Sequence, residues 1–277
     1  GYPRLAVDRA FTLPGAGLIV TGTLVAGRIA VDDRLMLSPP GLELRVRGLH
    51  AQNRAAGAAE AGQRVALNIT GPRLSKDAVT RGDWILHPDI HAPTAALDVL
   101  LRVLPDEAAP LRSDTPAHLH LGAVHVMARV QPLEGDRISP GADGFVRLVL
   151  DRPIGALAGD RLALRDAGAS RTMGGGRVID PFPPTRGRRT AARLAQVAAL
   201  EAPAAEQALR QLLALPPGWT ERARFIRARN LPIASAESVQ AAAPAVAVAD
   251  LLMAPDTRDA LQRSLLQTLA AWHAGAP

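Results

Sequence analysis

Residues 4–24 read "RLAVDRAFTLPGAGLIVTGTL", and the fold turns on how they are parsed. Leu5 and Val7 fall on one face of an extended segment, and Leu18 and Val20 on one face of another. Pro14, Gly15 and Gly17 between them predict a tight turn. The stretch therefore reads as a strand, a turn and a second strand. Asp8 and Arg9 stand where the first strand should be most buried. Strand neighbours point to opposite faces, so both charges reach water only if the strand runs along a barrel rim or carries a bulge. As a surface pair they contribute about 0–1 kcal/mol. The other reading is a pocket built for a charged group. Gly22, inside "TGT" (21–23), predicts a bulge or the close approach of another backbone.

Working outward, the period-two pattern continues to residue 90. Leu35 and Leu37, Leu44 and Val46, and Val65, Leu67 and Ile69 each share a face, with Gly, Pro or Asp-Asp between the runs. Six short strands with such turns predict a closed or nearly closed β-barrel over 1–91. "HPDIHAPTA" (87–95) is a polar break. The strand texture resumes in "ALDVLLRVL", "PAHLHLG", "GFVRLVLD" and "RLALRD", which predicts a second barrel over 92–180. "DPFPPTRG" (180–187) is rich in proline, a stiff spacer and a poor helix interior, so 181–188 reads as a linker. Beyond it the period changes. "RRTAARLAQVAALE", "AAEQALRQLLAL" and "TRDALQRSLLQTLAAWHA" (257–274) place apolar residues at three- and four-residue steps, the last with Thr257 as its expected N-cap. The expected fold class is mainly β: two consecutive small β-barrels followed by a helical, winged-helix-like module over 189–277.

The chain has 277 residues, 48% hydrophobic and 21% charged, with no cysteine. That removes disulfides, thiol catalysis and Cys-based zinc sites. It fits a cytoplasmic setting, and no apolar run approaches a membrane span, so no membrane partner is expected. Of the 32 basic residues only Lys76 is lysine. Residues 1–92 carry 11 basic and 8 acidic side chains, net +3, and 185–277 carry 11 and 7, net +4. A positive excess at both ends permits a polyanionic partner without requiring one.

His118, His120 and His125 in "HLHLGAVHV" invite a metal reading, because His118 and His120 share a strand face. No carboxylate or Cys joins them at a familiar spacing, so a polar barrel face is expected and no metal site. "GGGR" (174–177) lacks the Lys-Ser/Thr and helix that a phosphate loop needs. "RGRR" (186–189) reads as a solvated helix start or as a nucleic-acid contact. No Gly-x-x-x-x-Gly-Lys-Ser/Thr and no Asn-Lys-x-Asp occurs, so no GTP site and no cofactor is expected within these residues.

The run through "GRIAVDDRLML" (27–37) resembles the second domain of translational GTPases, with Asp32 where that turn usually has Gly. Asp tolerates the left-handed conformation better than most residues. "AVDRAFTLPGAG", "VRGLHAQN" (46–53), "AGQRVALNITG" (61–71) and "RGDWIL" (81–86) together resemble the bacterial selenocysteine-specific elongation factor family. "RTMGGGRVID" (171–180) is similar to the closing strand of that family's third domain, and "RRTAARLAQVAAL" and "AAWH" to its winged-helix arm. The resemblance implies a pocket for the aminoacyl group of selenocysteinyl-tRNA, formed by Asp8, Arg9 and Arg64, with His50 either a donor to the ester or amino group or a half-buried strand histidine. A selenol is far more acidic than an alcohol, so selenocysteine presents an anion that guanidinium groups pair with. Asp8 would orient the arginines and limit their repulsion. The family also implies a ribosome partner, an mRNA hairpin gripped by later winged helices, and GTP with magnesium on a domain before this point. Two alternatives stay open: the arm of a general translational GTPase, or the accessory barrel of a GTPase-related enzyme.

Overall fold

The computed structural model describes residues 1–275; residues 276 and 277, the end of the expected helical module, lie outside the described residues. Two compact units occur, one over Gly1–Arg188 and one beginning at Arg189.

The first barrel is built from β1 (Arg4–Leu13), β2 (Gly17–Ala26), β3 (Arg28–Ala30), β4 (Arg34–Ser38), β5 (Leu42–Ala51), β6 (Arg54–Ala56), β7 (Ala58–Glu60), β8 (Arg64–Thr70) and β9 (Trp84–Leu86). Strands β4, β9, β1, β2, β8 and β5 follow one another around the wall, and β5 returns to β4. Leu5, Val7, Val20, Leu37, Leu67 and Ile85 fill the interior. The turns have the chemistry the sequence offers. Asp32 adopts φ 75°, and Gln52 and Asn53 are left-handed between the paired ends of β5 and β6. A Cβ at Gly22 would lie 2.0 Å from the Ala6 carbonyl oxygen, so the glycine is there to let two backbones meet.

The second barrel uses β10 (Thr94–Val103), β11 (Leu111–Arg112), β12 (Thr115–Leu121), β13 (Val124–Pro132), β14 (Arg137–Ile138), β15 (Asp143–Ile154), β16 (Arg161–Asp166) and β17 (Thr172–Asp180). Its closed order is β10, β15, β13, β12, β16, β17. The glycines of "GGGR" lie in β17, the closing strand. Cβ atoms at Gly174 and Gly176 would stand 2.6 and 2.0 Å from the Arg102 and Leu100 carbonyl oxygens.

The two barrels share a core. Ala6, Trp84 and Leu86 of the first pack into the apolar cluster of the second. Arg4 lies 4.2 Å from the Trp84 ring centre and donates two hydrogen bonds of 2.7 Å to Asp160. "RGDW" is therefore a joint: Gly82 is left-handed, Asp83 accepts from the Thr80 amide, and Trp84 docks the barrels.

The proline-rich stretch packs in part against the second barrel. Pro181 is buried, and the Pro184 carbonyl accepts a 2.6 Å hydrogen bond from Arg147. Arg147 is itself forked onto Asp98 at 2.7 and 2.9 Å, with both side chains buried. A buried guanidinium needs every donor satisfied, and the chain leaving β17 supplies an acceptor.

The second unit contains α1 (Ala191–Leu200), α2 (Ala205–Leu213), β18 (Trp219–Glu221), α3 (Arg222–Ala228), α4 (Ile233–Ala242), β19 (Val246–Val248), β20 (Leu251–Met253) and α5 (Pro255–Gly275). The sheet order β18, β20, β19 beside α2, α3 and α4 is a winged-helix arrangement around Leu209, Leu213, Phe225 and Leu252. Thr190 caps α1 by accepting from the Arg193 amide. Thr257 does not cap the last helix: α5 starts two residues earlier at Pro255, whose fixed φ and missing N–H suit a first helical position.

Candidate functional site

The charged residues of the opening stretch sit at a break in the ladder. On β1 and β2, Val7 faces Gly22 and Arg9 faces Thr21, so Asp8 is an extra residue, a β-bulge. Simple alternation would place Leu5, Val7 and Arg9 on one inner face. The bulge changes the phase: Ala10 packs against the core instead, Arg9 is exposed and Asp8 is half-buried. One inserted residue thus allows two adjacent charges to leave the interior together.

Asp8 is held from two strands. Thr21 Oγ1 on β2 donates to Oδ1 at 2.6 Å, and Arg64 Nη1 on β8 donates to Oδ2. Partial burial pushes the Asp8 carboxyl up. The hydrogen bonds from Arg64 and Thr21 and the charges of Arg64 and Arg9 outweigh it and hold the group below its ordinary value. Both arginines thus act on one carboxylate. The Arg64 side chain remains 59% exposed, free to meet something else.

The register extends the site sideways. Arg9 pairs with Thr21, Thr21 with Ala66, and Ala66 with His50, so Arg9 and His50 end one row across β1, β2, β8 and β5. Arg64 pairs with Thr23, one step further along the same outer face. The neighbouring row is Phe11, Ile19, Asn68 and Gly48. It lines a groove of about 490 Å³ together with Leu13 and His50. Asp8, Arg9 and Arg64 border this concavity without lining it, and His50 belongs to both. Within the groove Asn68 Nδ2 donates to the Ala16 carbonyl at 2.9 Å, while its buried Oδ1 has no partner. The site therefore joins an arginine anchored on Asp8, with the exposed Arg9 beside it, to an apolar slot that has one acceptor to spare.

Asp8, Arg9, Arg64 and His50 are site candidates from the sequence; Thr21, Phe11, Ile19 and Asn68 are added by the structure. The two-residue strand period was the signal for the last three, since 9 and 11, 19 and 21, and 64, 66 and 68 share faces. The histidines gather elsewhere, on the outer face of the second barrel. Among the described residues no group of three or more His, Cys, Asp or Glu is placed to hold a metal ion.

Comparison with known proteins places the fold. Residues 98–185 match the family model described as "Selenocysteine-specific elongation factor, beta-barrel domain". The Escherichia coli selenocysteine-specific elongation factor is 40% identical over 271 residues, 98% of this chain and 42% of that protein. The Desulfomicrobium baculatum factor of the same name is 34% identical over 179 residues, 65% of this chain and 28% of its own length. A crystal structure of a bacterial selenocysteine-specific elongation factor superposes on 99% of this chain and 43% of that one, with a TM-score of 0.73 at 19% identity, a likeness of fold. The chain thus spans less than half the length of these relatives. Near-complete alignment at 40% identity, a matched barrel domain and the same order of barrel, barrel and helical module establish that this chain belongs to the selenocysteine-specific elongation factor family.

Proposed function

We propose that residues 1–188 form the aminoacyl-tRNA-binding part of a factor that brings selenocysteinyl-tRNA to the ribosome at a recoded UGA codon. The observation that carries this reading is the ion pair of Arg64 with Asp8, with Arg9 exposed next to Asp8 on β1, at the edge of a groove on the first barrel. Asp8 keeps two guanidinium groups on one exposed face without mutual repulsion driving them apart. An arriving selenolate meets fixed positive charge, and the groove receives the apolar part of the aminoacylated end. His50, at the junction, reaches the ester or amino group. A seryl group brings no charge and gains nothing from the arginines. A general elongation factor has no need of such a pair.

The residue limits 1–91, 92–180, 181–188 and 189–277, for barrel, barrel, linker and helical module, form part of this proposal. The residues present do not fit GTP or magnesium, since no phosphate loop or guanine motif occurs, and nucleotide chemistry is not assigned to them. The mRNA hairpin is likewise assigned to parts of the family's proteins other than these residues.

The test is filter binding of selenocysteinyl-tRNA and seryl-tRNA to wild type and Arg64→Ala. The variant should lose selenocysteinyl-tRNA affinity by about 3–5 kcal/mol, the range for stranding one partner of a desolvated charge pair, and leave seryl-tRNA nearly unchanged. Arg64→Lys should recover part of the loss, because it restores charge without the fork. Equal weakening of both tRNAs would show that Arg64 grips the phosphate backbone and would overturn the reading.

A further inference from the structure

The histidines of the second barrel form a built cluster. His120 faces His125 across β12 and β13, and the rings stack with centres 4.7 Å apart and 9° between planes. His125 Nε2 lies 2.6 Å from His118 Nδ1, and His118 Nε2 lies 3.1 Å from the Ala167 carbonyl oxygen. A carbonyl only accepts, so His118 carries its proton on Nε2. Its Nδ1 is then a lone pair that accepts from His125 Nε2–H. This relay satisfies both rings in the neutral state. It leaves the lone pair of His125 Nδ1 outside the relay. On β16, Arg165 stands opposite His118. His120 Nε2 and Arg165 Nε are buried and have no hydrogen-bond partner.

The charges that act on His120 are all positive. Burial first, then His125, Arg165 and His118, holds the His120 imidazole below its ordinary value. From β15, Arg152 reaches the His125 carbonyl, and its charge acts on Asp83. The nearest carboxylate in sequence, Asp166, is committed to its own turn, accepting from the Ser170 amide, the Ser170 hydroxyl and the Arg171 amide. Beside the rings the next two residues across the sheet are small. His120 pairs with Ala163 and Ala163 with Gly175, where a Cβ would meet only the Leu162 carbonyl oxygen, at 3.4 Å. Arg161 and Arg177 pair on the next row.

We propose that His118, His120, His125 and Arg165 form a phosphate site for an RNA backbone on the outer face of the second barrel, and that the site takes up a proton as the phosphate binds. Without an anion, protonating His120 or His125 sets another cation beside Arg165. With a phosphodiester in place the same proton is attracted, so binding and protonation favour each other. The relay from His125 through His118 to Ala167 keeps the rings in position for both states. The small residues Ala163 and Gly175 leave room for a nucleic-acid strand to lie along the barrel. The choice of RNA rests on the proposed tRNA-binding role, but the site is remote in sequence from Arg64 and is tested with RNA that carries no amino acid.

The experiment follows fluorescence anisotropy of labelled uncharged tRNA from pH 8 to pH 6 at constant ionic strength, for wild type, His120→Gln and His125→Gln. Wild-type affinity should rise as pH falls, by up to about tenfold per pH unit for each proton taken up. Both variants should bind with a flattened pH dependence; His125 is exposed, so its variant keeps the fold. Inorganic phosphate and polyglutamate are titrated in parallel, with the imidazole resonances of the protein as readout. A pH-independent wild type, or an unchanged slope in both variants, overturns the proposal. Phosphate shifting the imidazoles while tRNA affinity ignores pH reassigns the site to a free ion and overturns the RNA assignment. Polyglutamate binding with the wild-type slope overturns the preference for phosphate.

Discussion

Each barrel ties an aspartate to an arginine from another strand, in opposite settings. In the first barrel Asp8 projects from a bulge, and its partner Arg64 is 59% exposed. In the second, Asp98 and Arg147 have 0% and 5% of their side chains exposed, and the guanidinium also holds Pro184. The buried pair has each partner saturated by protein, so it positions the chain and offers nothing to a ligand. The exposed pair leaves much of a guanidinium in water, so it contributes little to folding and has donors to spare. The pair that matters to stability and the pair proposed to bind are therefore different pairs.

The sharpest way to break that contrast is to remove Arg147. Arg147→Ala removes the guanidinium that pairs with the buried Asp98 carboxylate and donates to the Pro184 carbonyl, and should cost about 3–5 kcal/mol in urea unfolding of the barrel unit. A loss below about 1 kcal/mol would mean that water enters the pair and that the two settings are alike. Gly22→Ala comes next. It drives a methyl group into the Ala6 carbonyl beside the bulge and should cost about 1–3 kcal/mol, read as a lower urea midpoint. Arg64→Ala should change folding stability by no more than about 1 kcal/mol, whatever it does to tRNA binding. The smallest effect is a pH profile. The Asp8 carboxyl lies below its ordinary 3.8 in the folded state, so its contribution is fully present above that pH and is lost as pH falls through the lower folded value. The stability difference between wild type and Asp8→Asn should be constant from neutral pH to about pH 5 and should close below about pH 4. A difference that persists at pH 2 would show that the carboxylate charge is not what Arg64 senses.

Much of this arrangement was legible in the chain. Alternation at Leu5 and Val7, Leu18 and Val20, and Val65 and Leu67 marks strands because a pleated backbone sends neighbours to opposite faces. "TGT" marked a close backbone approach, and Gly22 meets Ala6 there. Asp32 was expected to replace glycine in a left-handed turn, and it does. The change of period after the prolines marked the helical module. These are local properties, written in a few neighbouring residues. Thr257 was misread because Pro255, an equally strong start signal two residues earlier, took precedence.

The tertiary structure alone decided the rest. Residues 8 and 64 meet only because β2 lies between β1 and β8. The bulge that turns Arg9 outward is a mismatch between two strands, and neither strand contains it alone. The proline-rich stretch reads as a spacer until Arg147, far back in the second barrel, claims the Pro184 carbonyl. The histidines resembled a metal motif until the register stacked His120 on His125 and set Arg165 opposite His118. In each case the deciding quantity is which distant backbone comes alongside. Turn propensities and alternation specify elements, whereas barrel closure, by bringing remote strands into register, specifies which charges share a surface.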